Sequence, residues 1–259
     1  MGKTIAIANQ KGGVGKTTTA INLSASIALA GREILVVDID PQGNTTSGLG
    51  FDRTELTSSI YDVLSDSLEI HETILETAVE NLHLVPSSID LIAAEVELVD
   101  VSEREFVLKK ALQPVINDYE FIIIDCPPSL GLLTLNGLVA ADSVLIPVQC
   151  EYYALEGIGL LSRTIDLVQS SFNPDLQIEG VLLTMFDRRT SISHQVADEV
   201  RRFFGGRVYS TVIPRNVTLS EAPSFGKPVM LYDARSKGAQ SYLKLAKEIL
   251  NEASTGQRA

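Results

Sequence analysis

The chain has 259 residues, 45% of them hydrophobic, which is enough for a full core and lies near the upper size for one α/β domain. No apolar run approaches about 18 residues and the N-terminus enters a strand-like run directly, so neither a membrane span nor a signal peptide is predicted. The formal charge of −12 argues against nucleic acid at first sight, but residues 1–179 hold 9 Lys/Arg against 26 Asp/Glu while residues 180–259 hold 12 against 7. That asymmetry hints at one anion-facing surface.

Taken in chain order, the first strand is predicted over residues 4–8 and the first helix over 17–30. Between them lies Lys11-Gly12-Gly13-Val14-Gly15-Lys16-Thr17-Thr18. A Gly-rich turn between a strand and a helix stacks backbone N–H groups into an anion nest, and the helix dipole adds to it. Lys16 can then reach β/γ phosphates and the Thr17 hydroxyl can ligate Mg²⁺. The strict P-loop pattern needs glycine at position 10, where Gln10 stands, and it has no counterpart of Lys11. The plainer and lesser reading of Lys11 is a solvated lysine in an exposed loop.

A second strand, 34–38, ends in Asp38-Ile39-Asp40-Pro41-Gln42-Gly43-Asn44. Ligands of open α/β sheets bind beyond the carboxyl ends of strands, so this turn should face the P-loop. Its acids also read as plain turn chemistry, since Asp-Pro and Gly-Asn favour turns. Next come a strand at 82–85 and helices at 87–98 and 103–117. The run Phe121-Ile122-Ile123-Ile124-Asp125 is a buried strand ending in a carboxylate, the Walker B pattern, with Asp125 as a Mg²⁺ ligand opposite Thr17. The plainer reading is an Asp capping the next element. Helices at 132–140, 153–170, 191–204 and 236–252 and strands at 143–148, 178–184 and 208–212 complete the pattern. This alternation predicts a mostly parallel, doubly wound α/β sheet with helices on both faces, the P-loop NTPase class. One domain over 1–253 with a polar tail at 254–259 is expected. Cys126 and Cys150 fit reduced thiols in a cytoplasm and show no zinc spacing.

The loop is similar to the deviant P-loop K-G-G-x-x-K-[ST], shared by the ParA/MinD positioning ATPases and the nitrogenase iron protein. Three further segments resemble the chromosomal ParA (Soj-like) branch: Ala8-Asn9-Gln10, the stretch from Pro147 to Gly157, and the stretch from Val212 to Pro223. The resemblance extends from Lys3 to about Leu250. It implies ATP and Mg²⁺ as cofactors, with Lys11 crossing to the nucleotide of a partner copy in an ATP-dependent homodimer. It also implies that Asp40 orients the attacking water, Thr18 contacts the α-phosphate, and Pro214 and Asn216 recognise adenine. Met185 is a candidate second wall for the base.

No helix-turn-helix, zinc finger or aromatic platform is visible, so base readout is not expected. The resemblance implies non-specific DNA binding by the ATP dimer on the nucleoid, and release when a ParB-type centromere-binding partner stimulates hydrolysis. Arg188, Arg189 and Arg215 are the candidate phosphate contacts, with Lys227, Arg235 and Lys237 able to join them. Position 218, often basic in relatives, is Thr218. A MinD-like membrane role would require a basic amphipathic C-terminal helix. The last helix offers Tyr242, Leu245, Ala246, Ile249 and Leu250 on one face but nearly balanced charge. An iron–sulfur role would need both cysteines at a subunit interface, and small buried residues account for them better.

Overall fold

The computed structural model describes residues 2–151 and 154–255, with side chains for all of these except 154–158 and 252–255. Seven strands form one sheet: β1 (Lys3–Ile7), β2 (Ile34–Asp38), β3 (Leu75–Glu76), β4 (Leu82–Val85), β5 (Phe121–Asp125), β6 (Ser143–Gln149) and β7 (Gln177–Thr184). Their order across the sheet is β3-β4-β2-β5-β1-β6-β7, parallel throughout except for the short edge strand β3. The central strands read as unbroken apolar runs because helices cover both faces. Their side chains alternate between two cores. Ile5, Ile7, Val36 and Ile123 pack with Leu23, Tyr242 and Leu245 on one face. Ala6, Val37, Ile124 and Ile146 pack with Leu112, Leu133 and Leu161 on the other.

Eleven α-helices are found among the described residues. They are α1 (Lys16–Ala28), α2 (Asn44–Gly48), α3 (Ile60–Leu64), α4 (Leu91–Glu97), α5 (Val107–Leu112), α6 (Leu132–Ala140), α7 (Ala154–Ser171), α8 (Ser191–Phe204), α9 (Val217–Glu221), α10 (Val229–Asp233) and α11 (Lys237–Thr255). The short helices α2, α3, α9 and α10 carry too little periodicity to be seen in the sequence. The helix expected over 103–117 opens as a 3₁₀ turn and is α-helical only over α5, since Pro114 has no amide hydrogen to donate to the ladder. The one expected for 87–98 begins at Leu91; Ser87 instead donates its amide to the Thr46 hydroxyl at 2.9 Å and its hydroxyl to the carbonyl of Asp40. Helix α11 continues two residues past the domain end expected at 253, and residues 256–259 lie outside the described residues.

The strand expected at 208–212 is not formed. Val208 makes an isolated parallel bridge to Val181, and Tyr209 and Ile213 donate to the carbonyls of Val181 and Leu183 at 3.0 and 2.8 Å. Between those contacts the amides of Ser210 and Thr211 donate instead to the two carboxylate oxygens of Glu248 on α11, at 2.7 and 3.1 Å. A backbone donor satisfied by a side chain is lost to the ladder. The segment therefore meets β7 and its continuation only at isolated parallel bridges, Val208 to Val181 and Pro214 to Phe186, and forms no continuous strand.

Register fixes where chemistry can occur. Ile7 at the end of β1 pairs with Asp125 of β5, and Asp125 pairs with Asp38 of β2. The P-loop and both strand-terminal acids thus share one row at the carboxyl edge of the sheet, where open α/β sheets bind ligands.

Candidate nucleotide and cation site

The P-loop is anchored at both ends by residues from distant segments. Asn9 donates from Nδ2 to the carbonyl of Pro147 at 2.7 Å and accepts from the Lys11 amide at 3.0 Å. Thr184, ending β7, donates its hydroxyl to the carbonyl of Val14 at 2.8 Å. Gly15 caps α1 with φ at 92°, a left-handed conformation that disfavours any side chain. The result is a loop pre-shaped for an anion at a helix N-terminus.

Below it lies a compact oxygen cluster. The hydroxyls of Thr17 and Thr45 both donate to Oδ2 of Asp125, at 2.9 and 2.7 Å. The second oxygen of Asp125, Oδ1, is buried with no partner among the described residues. Asp38 is also fully buried. It accepts from the Thr46 amide at 2.8 Å and hydroxyl at 2.7 Å, and from the Asp40 amide at 3.2 Å. Burial raises the affinity of both carboxyls for protons, and the charge of Asp125 pushes Asp38 further in the same direction. The ammonium of Lys16 is buried too and donates to the Lys11 carbonyl at 3.3 Å. Desolvation lowers its pKa, against the pull of Asp125, Cys126 and Asp40. An all-oxygen donor set with an orphaned carboxylate oxygen suits a small hard cation such as Mg²⁺.

Asp40 is nearly buried. Its carboxylate accepts from the Gln42 amide at 2.9 Å, and its carbonyl accepts from the Ser87 hydroxyl at 2.5 Å. A cleft of about 980 Å³ opens from Gly12, Lys16, Thr17 and Asp40 towards Met185, Pro214 and Asn216. Gly13, Gly15, Thr18 and Arg215 also line it, while Val14 is buried and is not part of its lining. Asn216 has a buried Oδ1 without a partner, and Met185 holds φ at 50°, a conformation uncommon for side chains of this size. Tyr242 of α11 lines the same cleft and shares a hydrogen bond of 3.1 Å with Thr19. Among the described residues Lys11 is half-buried and enters the hydrogen-bond network only through its backbone.

The sequence reading missed Thr45, Thr46, Thr184 and Ser87. Thr45 and Thr46 directly follow the Gly-Asn turn, which is a signal of a helix start, but nothing in the sequence pairs them with acids on other strands. The three candidate DNA arginines sit on the surface and are differently engaged. Arg189 makes a two-pronged pair with Asp187, Nε to Oδ1 at 2.9 Å and Nη2 to Oδ2 at 2.8 Å, and holds that carboxyl well below the usual range. Arg215 meets Glu151 at 3.3 Å. Arg188, Lys227, Arg235 and Lys237 are exposed and lack an ion-pair partner among the described residues. Cys126 and Cys150 are buried and unpaired by disulfide, so neither thiol is presented at the surface as a shared cluster would need. On α11, Tyr242, Leu245, Ala246 and Ile249 are all packed into the core, which leaves that face unavailable to a lipid surface. No helix of the described residues is long and apolar enough to cross a membrane.

The AAA domain family model matches residues 2–178. The sporulation initiation inhibitor protein Soj of Bacillus subtilis (strain 168) is 59% identical over 249 residues, covering 96% of this chain and 98% of that protein. The chain belongs to the Soj/ParA family. Chromosome partitioning protein ParA of Myxococcus xanthus (strain DK1622) is 58% identical, covering 96% of this chain and 88% of that protein. Among solved structures, cobyrinic acid a,c-diamide synthase from Mycobacterium smegmatis with bound ADP and magnesium superposes with a TM-score of 0.89. It is 40% identical and covers 100% of this chain and 98% of that one. Its named activity is its own. The Soj and ParA relatives match this chain at the higher identity. The segment from Pro147 to Gly157 contains Tyr152 and Tyr153, which lie outside the described residues.

Proposed function

We propose that this protein is a DNA-segregation ATPase in which ATP and Mg²⁺ join two copies into a sandwich dimer. The observation that carries the reading is the convergence at Asp125. Two threonine hydroxyls are spent on Oδ2 while Oδ1 is left buried and unpaired beneath a phosphate nest. A buried orphan acceptor is costly unless a ligand satisfies it. Thr17 and Asp125 hold the cation, directly or through its waters, and the cation neutralises charge on the phosphates. Backbone amides of Gly12, Gly13, Val14 and Gly15 cradle the phosphates, Lys16 reaches the β/γ positions, and Thr18 meets the α-phosphate. Pro214 and Asn216 hold adenine with Met185 as the second wall, a role supported by the unsatisfied Oδ1 of Asn216 at the cleft.

Lys11 acts on the nucleotide of the second copy. Its ammonium has no partner within its own chain among the described residues, and a cation beside triphosphate in a closed interface is worth far more than in water. Asp40 orients the attacking water. Dimer formation doubles a weak basic surface that includes Arg188, Arg189 and Arg215, and affinity for DNA phosphates steepens with contact number. The dimer then resides on the nucleoid in the cytoplasm, without a membrane anchor, until a ParB-type partner stimulates hydrolysis and release. DNA co-sedimentation with ATP, ADP and no nucleotide, run beside light scattering, tests the scheme. Retention on DNA and doubled mass with ATP alone are expected. A protein that stays a single copy when saturated with a non-hydrolysable ATP analogue would overturn it.

A further inference from the structure

Arg53 belongs to none of the motifs, yet its guanidinium lies on the loop that carries Asp40. Nη2 donates to the carbonyl of Pro41 at 2.9 Å and Nη1 donates to the carbonyl of Gln42. Nε is buried without a partner, and no carboxylate forms an ion pair with this side chain among the described residues. Gly43 makes the approach possible: a Cβ there would lie 2.4 Å from Nε and 2.6 Å from Cζ of Arg53. The reach from Arg53 is itself braced, because Asp52 Oδ1 accepts from the Thr54 amide at 2.9 Å and hydroxyl at 2.7 Å.

Three successive carbonyls of this loop are therefore held from outside it. Ser87 and the Gly43 amide take the carbonyl of Asp40, at 2.5 and 2.8 Å, and Arg53 takes the next two. The planar fork of arginine suits adjacent acceptors in a way that a single ammonium does not. A partly desolvated cation without a counter-ion is costly to hold unless the dipoles it binds repay it in order. Here those dipoles flank the Asp40 carboxylate, whose own orientation is set by the Gln42 amide. We infer that Arg53 is a positioning residue for hydrolysis, clamping the Pro41 and Gln42 carbonyls so that the Asp40 carboxylate stays aimed into the cleft. The inference rests on Asp40 as the water-orienting group.

Steady-state ATPase kinetics on the full chain, with dimer mass measured in a non-hydrolysable analogue, test it. Arg53→Ala is expected to lower kcat about tenfold, the scale on which small losses of alignment act, with KM for ATP and dimer mass unchanged. Arg53→Lys, which keeps the charge but gathers its donors on a single nitrogen, restores part of the rate. Gly43→Ala provides a second route: it places a methyl group against the guanidinium and should lower kcat with Arg53 still present. A kcat for Arg53→Ala within twofold of the parent, or a parallel loss of KM, dimer mass and kcat that lysine does not reverse, overturns the positioning role. Absence of ATP hydrolysis by the unmutated chain would instead overturn the proposed function.

Discussion

Around Asp125 the partners come from segments 80 and 108 residues away in sequence, whereas the partner of Arg189 is two residues away. The first cluster is buried and leaves one oxygen unsatisfied. In the second, 87% of the arginine side chain is exposed and both ends of the guanidinium fork are occupied. The contrast separates two kinds of binding site. In the cleft the fold has already met the cost of gathering charge, so a ligand completes an existing arrangement. Under the proposed function Arg189 would share its guanidinium between Asp187 and a DNA phosphate, or exchange one for the other, with little net gain in water. In that reading the dimer would give the surface a second copy of the patch and the cleft the Lys11 of the partner copy.

The largest expected effect tests the cleft. Lys16→Ala removes a buried cation from the phosphate site and should lower ATP affinity at least about a hundredfold, measured by calorimetry. Near-normal binding by the variant would show that the nest alone suffices. Asp40→Ala should leave ATP binding and dimer formation intact while lowering turnover about a hundredfold, the low end for a general-base or water-orienting group. Its dimer should persist on DNA in a wash-off assay, and rapid release would remove the role assigned to Asp40.

A third measurement sharpens the energetic side of the contrast. Burial pushes Asp38 up to about 8, so between about pH 4 and that value the nucleotide-free folded state binds more protons than the unfolded chain. Stability from this group is present at low pH and is lost as pH rises through that window. Asp38→Asn, which cannot ionise, should therefore gain in Tm relative to the parent from pH 5 to pH 8. A Tm difference independent of pH would mean that Asp38 is not buried as a protonated acid. The smallest effects belong to the surface. Arg189→Glu should weaken DNA retention and flatten its salt dependence, with dimer mass unchanged. Asp187→Asn, which releases Arg189, should strengthen retention roughly two- to fivefold. Equal retention by both variants would acquit Arg189 of contact with DNA.

Much of this was legible in the residue order, for a local reason. The P-loop, the acid-terminated run 121–125 and the Gly-Asn turn are contiguous, and each is dictated by backbone chemistry within a few residues. The long apolar runs announced a sheet covered on both faces. What stayed hidden was relational. Glu248 drawing the Ser210 and Thr211 amides off the ladder, Ser87 bonding to the Asp40 carbonyl, and Arg53 gripping the Asp40 loop are meetings of side chain and backbone across 11 to 47 residues. No periodicity or propensity records them.

The order of amino acids by itself settled that a phosphate loop follows the first strand, that acids end the second strand and the run at 121–125, and that the sheet between them is buried. Only the tertiary structure decided which oxygen of Asp125 stays free, which arginines are already paired, and what steadies Asp40. Those depend on strand register and on distances between segments far apart in the chain, and a side chain's partner is set by what packing brings within about 3 Å of it.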